Sequence, residues 1–332
     1  MNNQNHFLVC VRCFTFNHAP YIKDAMDGFC MQQTSFPYIC VIVDDASTDG
    51  EQEVIKSYLD QNFNLDNQEI VKNEDTDDFV MTFVQHKTNA NCFFAVYYLK
   101  YNHYSIKKDK FPYFTEYHDN AKYIALCEGD DYWINPNKLQ LQVDYLDNND
   151  SCLLCYGKGK CYIQSKQFLS DKVVGKDFVS FEQLILSNTV STMTTLIRSN
   201  AYNKYIQEKN TWGKKQWRMG DFPIWLWCSL NGECRFFDEI FGVYRILDES
   251  ASHSKNVNQQ ISFVLSFKEI QLFFINKYCI SSRIKYKVLS RDSFTLLKLY
   301  LRAKSYKVIH SFSHLLYYTI LYLGTIIFEK EK

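Results

Sequence analysis

Two spacings of apolar residues alternate along the first half of the chain. Phe7 to Phe16 is apolar apart from Arg12, the signature of a short strand covered on both faces. Asn17-His18-Ala19-Pro20 then turns the chain into a helix in which Ile22, Ala25, Met26 and Phe29 share one face. Tyr38 to Val43 predicts a second buried strand and ends in Asp44-Asp45. After it, Thr48 and Glu51 have capping-box spacing, and Val54, Ile55, Tyr58 and Leu59 form the next helical stripe. Tyr123 to Cys127 is a third apolar run ending in acid, at Glu128, Asp130 and Asp131. Asn135-Pro136 followed by Leu139, Val143 and Leu146 then reads as an N-cap, a proline at N1 and an apolar stripe. Such strand and helix alternation predicts a parallel sheet with right-handed crossovers.

The second half carries shorter signals. Cys152 to Tyr156 and Cys161 to Ile163 predict short strands, Phe181 to Leu186 a helix, and the β-branched run Thr192 to Arg198 a return to the sheet. Asp221 stands before a helix rich in large apolar side chains, with Pro223 in its first turn, and Phe236 to Arg245 predicts another strand. From Ile261 the character changes. Phe263, Phe267, Ile270 and Phe274 form a helical stripe, after which Lys and Arg accumulate against the single acid Asp292, and Leu315 to Phe328 is almost wholly apolar and aromatic. That last run falls short of the roughly 20 apolar residues of a bilayer span. It reads either as an interfacial helix with a basic approach or as part of a helical pair packed on the preceding domain.

Composition narrows the function classes. With 332 residues and 46% hydrophobic content the chain can bury a large core, and Lys+Arg and Asp+Glu both number 37, so no global field recruits nucleic acid. The twelve cysteines are scattered and several lie inside apolar runs, while Met1 to His6 is polar without the apolar centre of a secretory signal. Both points predict a reducing, cytoplasmic setting. The C-x-x-C pairs Cys10 with Cys13 and Cys152 with Cys155 fall in strand-like runs, which favours packing over zinc or redox chemistry.

The chemistry sits where the strands end. A buried strand cannot solvate carboxylates along its length, and ligands of open α/β sheets bind outside the carboxyl ends of the strands. Adjacent carboxylates repel, and a hard divalent cation such as Mg²⁺ or Mn²⁺, sharing its oxygen ligands with water and substrate phosphates, compensates them most simply. The plainer alternative is that Asp130 and Asp131 only start the next helix.

Taken together, the run Val9 to Asn17, the helix after Pro20, Gln32-Gln33-Thr34 and Val41-Ile42-Val43-Asp44-Asp45-Ala46-Ser47-Thr48-Asp49-Gly50 resemble the amino-terminal half of the family 2 glycosyltransferases. Tyr123 to Trp133, continued by Lys138-Leu139-Gln140-Leu141-Gln142, resembles the metal-binding segment of a bacterial subgroup that builds surface polysaccharides such as lipopolysaccharide or capsule. The resemblance covers roughly residues 7 to 250. It implies an α/β, GT-A nucleotide-diphospho-sugar transferase fold, a Rossmann-like mixed sheet flanked by helices, over residues 1–255, with a helical, basic and apolar extension over 256–332.

What the resemblance implies for the site can be carried over residue by residue. Thr15, Phe16 and Asn17 would line the nucleotide pocket with Phe16 stacked on the base, Asp45 would accept a pyrimidine N–H with Asp44 in support, and Asp130 would meet the ribose and the metal. Asp131 would coordinate a Mg²⁺ or Mn²⁺ ion bridging the donor phosphates, and Asp221 would be the catalytic base. Glu128 stands where many relatives have aspartate. Where relatives carry a glycine-containing segment with an arginine that grips the donor, His86-Lys87-Thr88-Asn89-Ala90-Asn91 has no glycine, and Lys87 is the phosphate contact this segment offers. Glu74 to Asp78 predicts a solvated loop, and Tyr104 to Asn120 reads as an acceptor-facing loop or a tolerated surface insertion. Arg245 and His253 fall in a segment that closes over the diphosphate in relatives. The implied partners are a nucleotide-sugar donor, UDP favoured, a glycan or lipid-linked glycan acceptor and, through the C-terminal segment, the inner face of the cell membrane. Two rivals remain at this level: a non-catalytic nucleotide-sugar-binding scaffold, and a nucleotidyltransferase, against which stands the lack of a glycine-rich, lysine-bearing loop near the first strand.

Overall fold

The computed structural model describes residues 6–248 and 255–330, with 328–330 described by their backbone alone. The chain begins with β1 (Val9–Thr15), α1 (Ile22–Cys30), β2 (Tyr38–Asp44) and α2 (Glu51–Asn62), in agreement with the apolar periods. A strand ribbon follows, β3 (Lys72–Asp75), β4 (Phe79–Gln85) and β5 (Cys92–Leu99), then α3 (Pro112–Asn120), β6 (Tyr123–Leu126), β7 (Tyr132–Trp133) and α4 (Lys138–Asp147). Next come β8 (Cys152–Ile163), β9 (Phe168–Val174), α5 (Phe181–Leu186), β10 (Leu196–Arg198), α6 (Ser199–Asn210), α7 (Phe222–Asn231) and β11 (Glu233–Ile246). Three helices end the chain: α8 (Val257–Lys277), α9 (Ser282–Arg302) and α10 (Lys307–Lys330).

The strands form one mixed sheet in the order β3-β4-β5-β2-β1-β6-β10-β8-β11-β7, with β9 beside β8. Its centre is parallel: β5, β2, β1 and β6 run the same way, with Thr15 level with Asp44 and Asp44 level with Tyr98. β2 and β5 are buried along their whole length, as expected of strands covered on both faces. Helix α1 buries Ile22, Ala25, Met26 and Phe29, and comes so close to β7 that a Cβ on Gly28 would lie 2.8 Å from the backbone N and O of Trp133.

Several expectations need correction. Thr48 and Glu51 form no capping box; the residue before α2 is Gly50 at φ 91°, and Glu51 is fully buried. Helix α4 starts at Lys138 after Asn137, so Pro136 lies outside it, and Asp130 and Asp131 are separated from it by β7. The acidic stretch from Glu74 is half strand: β3 is an exposed edge paired with β4, which lets its charges stay solvated within a hairpin. The two strands expected between Cys152 and Ile163 are one, β8, and Thr192–Thr194 forms a 3₁₀ turn so that only Leu196–Arg198 rejoins the sheet.

All four C-x-x-C cysteines are buried and unpaired, as packing required. Helix α8 shares the core of the sheet's far side: Ile270 and Phe274 are buried there, and the Phe267 ring stacks 4.8 Å from Phe222 of α7. Among the described residues no helix is long and apolar enough to cross a membrane.

Candidate functional site

The carboxyl ends of β1, β2 and β6 meet at one edge of the sheet. Past Leu126 the chain keeps following β1, with Cys127 N donating to Arg12 O (3.1 Å) and Gly129 N to Phe14 O (3.0 Å). It can do so because residue 129 is glycine: a Cβ there would collide with the Thr15 side chain. This passage carries Glu128, Asp130 and Asp131 around the end of β1.

Glu128 is the electrostatic centre. Burial pushes its carboxyl up to about 7, with Asp130 and Asp221 adding to the rise and Arg12 and Lys110 opposing it. Four charges from separate parts of the chain therefore act on one carboxyl. Asp131 is buried and held well above the usual carboxylate range by burial, then by Asp130, while its Oδ1 accepts from Arg245 N (2.8 Å). Arg245 also donates through Nε to Asp130 O (2.9 Å), through one terminal nitrogen to Gln164 Oε1 (2.9 Å), and through the other to Asp24 Oδ2 (2.7 Å). Its guanidinium lies among the rings of Tyr21, Tyr132 and Tyr162. Arg245 thus fixes the acidic turn rather than reaching into solvent. His253 lies outside the described residues.

Among the described residues no group of three or more His, Cys, Asp and Glu forms a ready metal cage. The donor set nevertheless suits a hard cation that takes one or two carboxylates and leaves its other positions to water and phosphate, because the crowding of Asp131, Asp130 and Glu128 is relieved by positive charge.

The turn after β1 is held by a residue whose spacing from Thr48 suggested a helix cap. Glu51 accepts from the Thr15 hydroxyl, from His18 N (2.8 Å) and from the Ser47 hydroxyl (2.7 Å). A usable signal was present, since Glu51 precedes Ile55, Tyr58 and Leu59 at spacings of four, seven and eight and so shares their buried face. Asn17 adopts φ 56° and is consumed by the same turn: its N donates to Ser47 Oγ (2.8 Å) and its Oδ1 accepts from Thr48 N (2.9 Å). Between Thr15 and Asn17, the Phe16 ring is left standing out, 42% exposed.

Asp44 and Asp45 are both buried. Asp44 Oδ2 accepts from Ser47 N (3.3 Å) and Gln52 Nε2 (2.5 Å), and its Oδ1 is buried without a hydrogen-bond partner. Asp45 Oδ1 accepts from His103 N (2.7 Å), and its Oδ2 from Tyr104 N (3.2 Å) and Lys110 Nζ (2.7 Å). The stretch from Tyr104 that read as an acceptor-facing loop or a surface insertion therefore wraps Asp45, the residue after β2, and both of its carboxylate oxygens accept hydrogen bonds. The physical reason is that a buried carboxylate requires donors, which this segment supplies. Lys87 is elsewhere, donating to the carbonyls of Asp60 and Gln61 at the end of α2 (2.9 Å each).

Asp221 reaches the site from the far half of the sheet. It precedes α7, its Oδ1 accepting from Phe222 N (2.7 Å) and its Oδ2 from the Thr192 hydroxyl (2.6 Å), so the half-buried carboxylate has a fixed orientation.

Residues 11–75 match the family described as Glycosyl transferase family 2. Uncharacterized proteins of Mycobacterium tuberculosis and Mycobacterium bovis are 31% identical over 142 residues, 43% of this chain and 32% of each relative, so the match spans about a third of the length of these curated relatives. Among solved structures, the mannosyltransferase PcManGT of Pyrobaculum calidifontis in complex with GDP-Man and Mn²⁺ is similar over 96% of this chain and 88% of that one, with TM-score 0.51 and 10% identity. The S. aureus TarS 1–349 structure in complex with UDP-GlcNAc covers 93% and 88%, with TM-score 0.48 and 12% identity. The likeness to the mannosyltransferase is one of fold, the GT-A arrangement of a mixed sheet between helices.

Proposed function

We propose that this chain is a family 2 glycosyltransferase, in keeping with the match over residues 11–75, and that it transfers a sugar from a nucleoside diphosphate donor to a hydroxyl of a surface glycan with inversion. The observation that supports this most is that Asp221, from a distant part of the chain, and Asp130 both act on the Glu128 carboxyl at the strand end. Phe16 stacks on the base, with UDP favoured, Asp130 meets the ribose, and Thr15 and Asn17 shape the pocket by holding the turn from which Phe16 projects. Asp44 and Asp45 anchor the loops on either side of that turn. Asp130 and Asp131 would hold a divalent cation, Mg²⁺ or Mn²⁺, which supplies positive charge for the donor's two phosphates.

The acceptor hydroxyl becomes a competent nucleophile only as its proton leaves. Asp221 takes that proton while the acceptor oxygen forms its bond to the anomeric carbon, the bond from that carbon to the diphosphate breaks, and the nucleoside diphosphate departs with the bonding pair. No bond between enzyme and sugar is needed. Positioned bases of this kind contribute about 10²- to 10⁴-fold, and the hydrogen bonds from Thr192 and Phe222 N keep the carboxylate aimed. The acceptor is a glycan or lipid-linked glycan, met at the inner face of the cell membrane.

Asp221→Asn tests the assignment. Donor affinity should be retained while turnover falls by at least about a hundredfold, read as release of nucleoside diphosphate from the matched donor. Nucleotide binding without turnover in the unmodified chain would identify a scaffold instead and overturn the reading.

A further inference from the structure

We propose that the α9–α10 hairpin lies on an anionic membrane surface, with the outer, apolar face of α10 in the acyl boundary. This deepens the membrane contact named above and is independent of sugar transfer.

The first observation is an apolar stripe with no cover. Ile309, Phe312, Leu316, Ile320, Leu323 and Ile327 are all exposed, with Ile309 at 79% and Ile320 at 60%. They recur every three or four residues and so line one face of α10. At about 1.5 Å per residue, the stripe runs on the order of 27 Å, a continuous apolar surface of the kind that marks an interaction site. The opposite side of α10 packs on α9, where Ser311 is buried and the Thr319 and Ser290 hydroxyls are 2.7 Å apart. Since no described helix can cross a bilayer, a membrane would receive this one lying flat.

The second observation is that the other side of α10 is taken: Lys307, His310, Ser311 and His314 face Lys268 of α8 and Ser293 of α9 across a cleft of about 490 Å³, which leaves the apolar stripe as the free face of the helix.

Charge complementarity selects the occupant. Between residues 282 and 327 the chain carries eight Lys and Arg against one acid, Asp292, which is itself buried beside Arg291. A second copy of this chain would bring the same positive charge to the face. An anionic bilayer brings the opposite charge and an apolar interior together.

The full chain should be sedimented with vesicles of phosphatidylcholine alone and of phosphatidylcholine with equimolar phosphatidylglycerol. Binding should favour the anionic vesicles strongly and weaken with salt. The pair Leu316→Glu and Ile320→Glu changes exposed side chains only, and should lower vesicle affinity at least about tenfold while preserving the circular dichroism spectrum and transfer to a water-soluble acceptor. The pair Lys304→Ala and Lys307→Ala, both exposed at the turn between α9 and α10, should weaken binding to anionic vesicles about thirtyfold. Folded protein that stays in solution with anionic vesicles, equal binding to both compositions, or a dimer that the two glutamates dissociate would each overturn the proposal. Loss of transfer with vesicle binding intact would instead count against the assigned reaction alone.

Discussion

Replacing Lys138 by methionine should change the way stability depends on pH. Lys138 is fully buried in α4; its Nζ donates to Gln142 Oε1 (2.9 Å) and Thr195 O (3.3 Å) and lies 4.2 Å from the Trp133 ring centroid. Burial pushes its pKa from 10.5 down to about 7, with Cys127 and Cys155 acting weakly the other way. The folded state therefore disfavours the charged amine. Between pH 7 and 10.5 the unfolded chain binds more protons than the folded one, so this group makes stability rise with pH across that window. A difference of one proton bound changes stability by about 1.4 kcal/mol for each step of one in pH, so the whole effect is on the order of 5 kcal/mol, of which about 2 kcal/mol falls between pH 7 and roughly 9. Buried tyrosines and cysteines with raised pKa values act in the opposite direction at the upper end, and comparison with Lys138→Met cancels them. Urea unfolding followed by tryptophan fluorescence at about pH 7, 8 and 9 gives both stabilities. The wild-type value minus the variant value should grow by about 2 kcal/mol over this range; a difference that stays flat would refute the buried, neutralising lysine.

The remaining predictions concern the site and its supports. Thermal unfolding with UDP, GDP, CDP and dTDP, each with and without Mn²⁺, should show metal-dependent stabilisation by one of them, about 2.7 kcal/mol at a hundred times the dissociation constant. Asp131→Asn should abolish that dependence yet leave the unliganded fold intact, because the amide oxygen can still accept from Arg245 N; unchanged metal dependence would contradict the assignment. Gly28→Ala forces a methyl against the Trp133 backbone and should cost on the order of 3 kcal/mol in denaturant titrations, whereas a neutral result would mean that α1 and β7 are not so closely packed. Lys110→Met leaves the buried Asp45 carboxylate with backbone donors alone and should destabilise on the order of 3 kcal/mol, with faster hydrogen exchange at His103 and Tyr104; unaltered exchange would separate Lys110 from the anchoring of that segment.

Legibility followed the range of the forces involved. Strands β1, β2 and β6 and helices α1, α2 and α4 were readable because a buried face imposes its period on the residues themselves, and each acidic strand end was visible as the point where an apolar run stops. The ribbon β3–β5 was missed although Cys92–Leu99 is buried throughout, because the acidic patch at Glu74 suggests a solvated loop and so masks the apolar runs after it. Glu51 was misassigned for a different reason: a glutamate three residues after a threonine fits a local cap, which outweighed its place on the buried face of α2, and the structure shows its carboxylate holding the β1 turn.

By itself the sequence determined the alternation of buried elements and the edge of the sheet at which carboxylates gather, since both follow from contacts between near neighbours in the chain. Only the tertiary structure decided what each carboxylate faces. Asp45 met Lys110, 65 residues away, Asp131 met Arg245, 114 away, and Asp221 entered the field of Glu128 from another half of the sheet. A buried charge must be answered by whichever donor the fold brings to it, and no local pattern records that donor's identity.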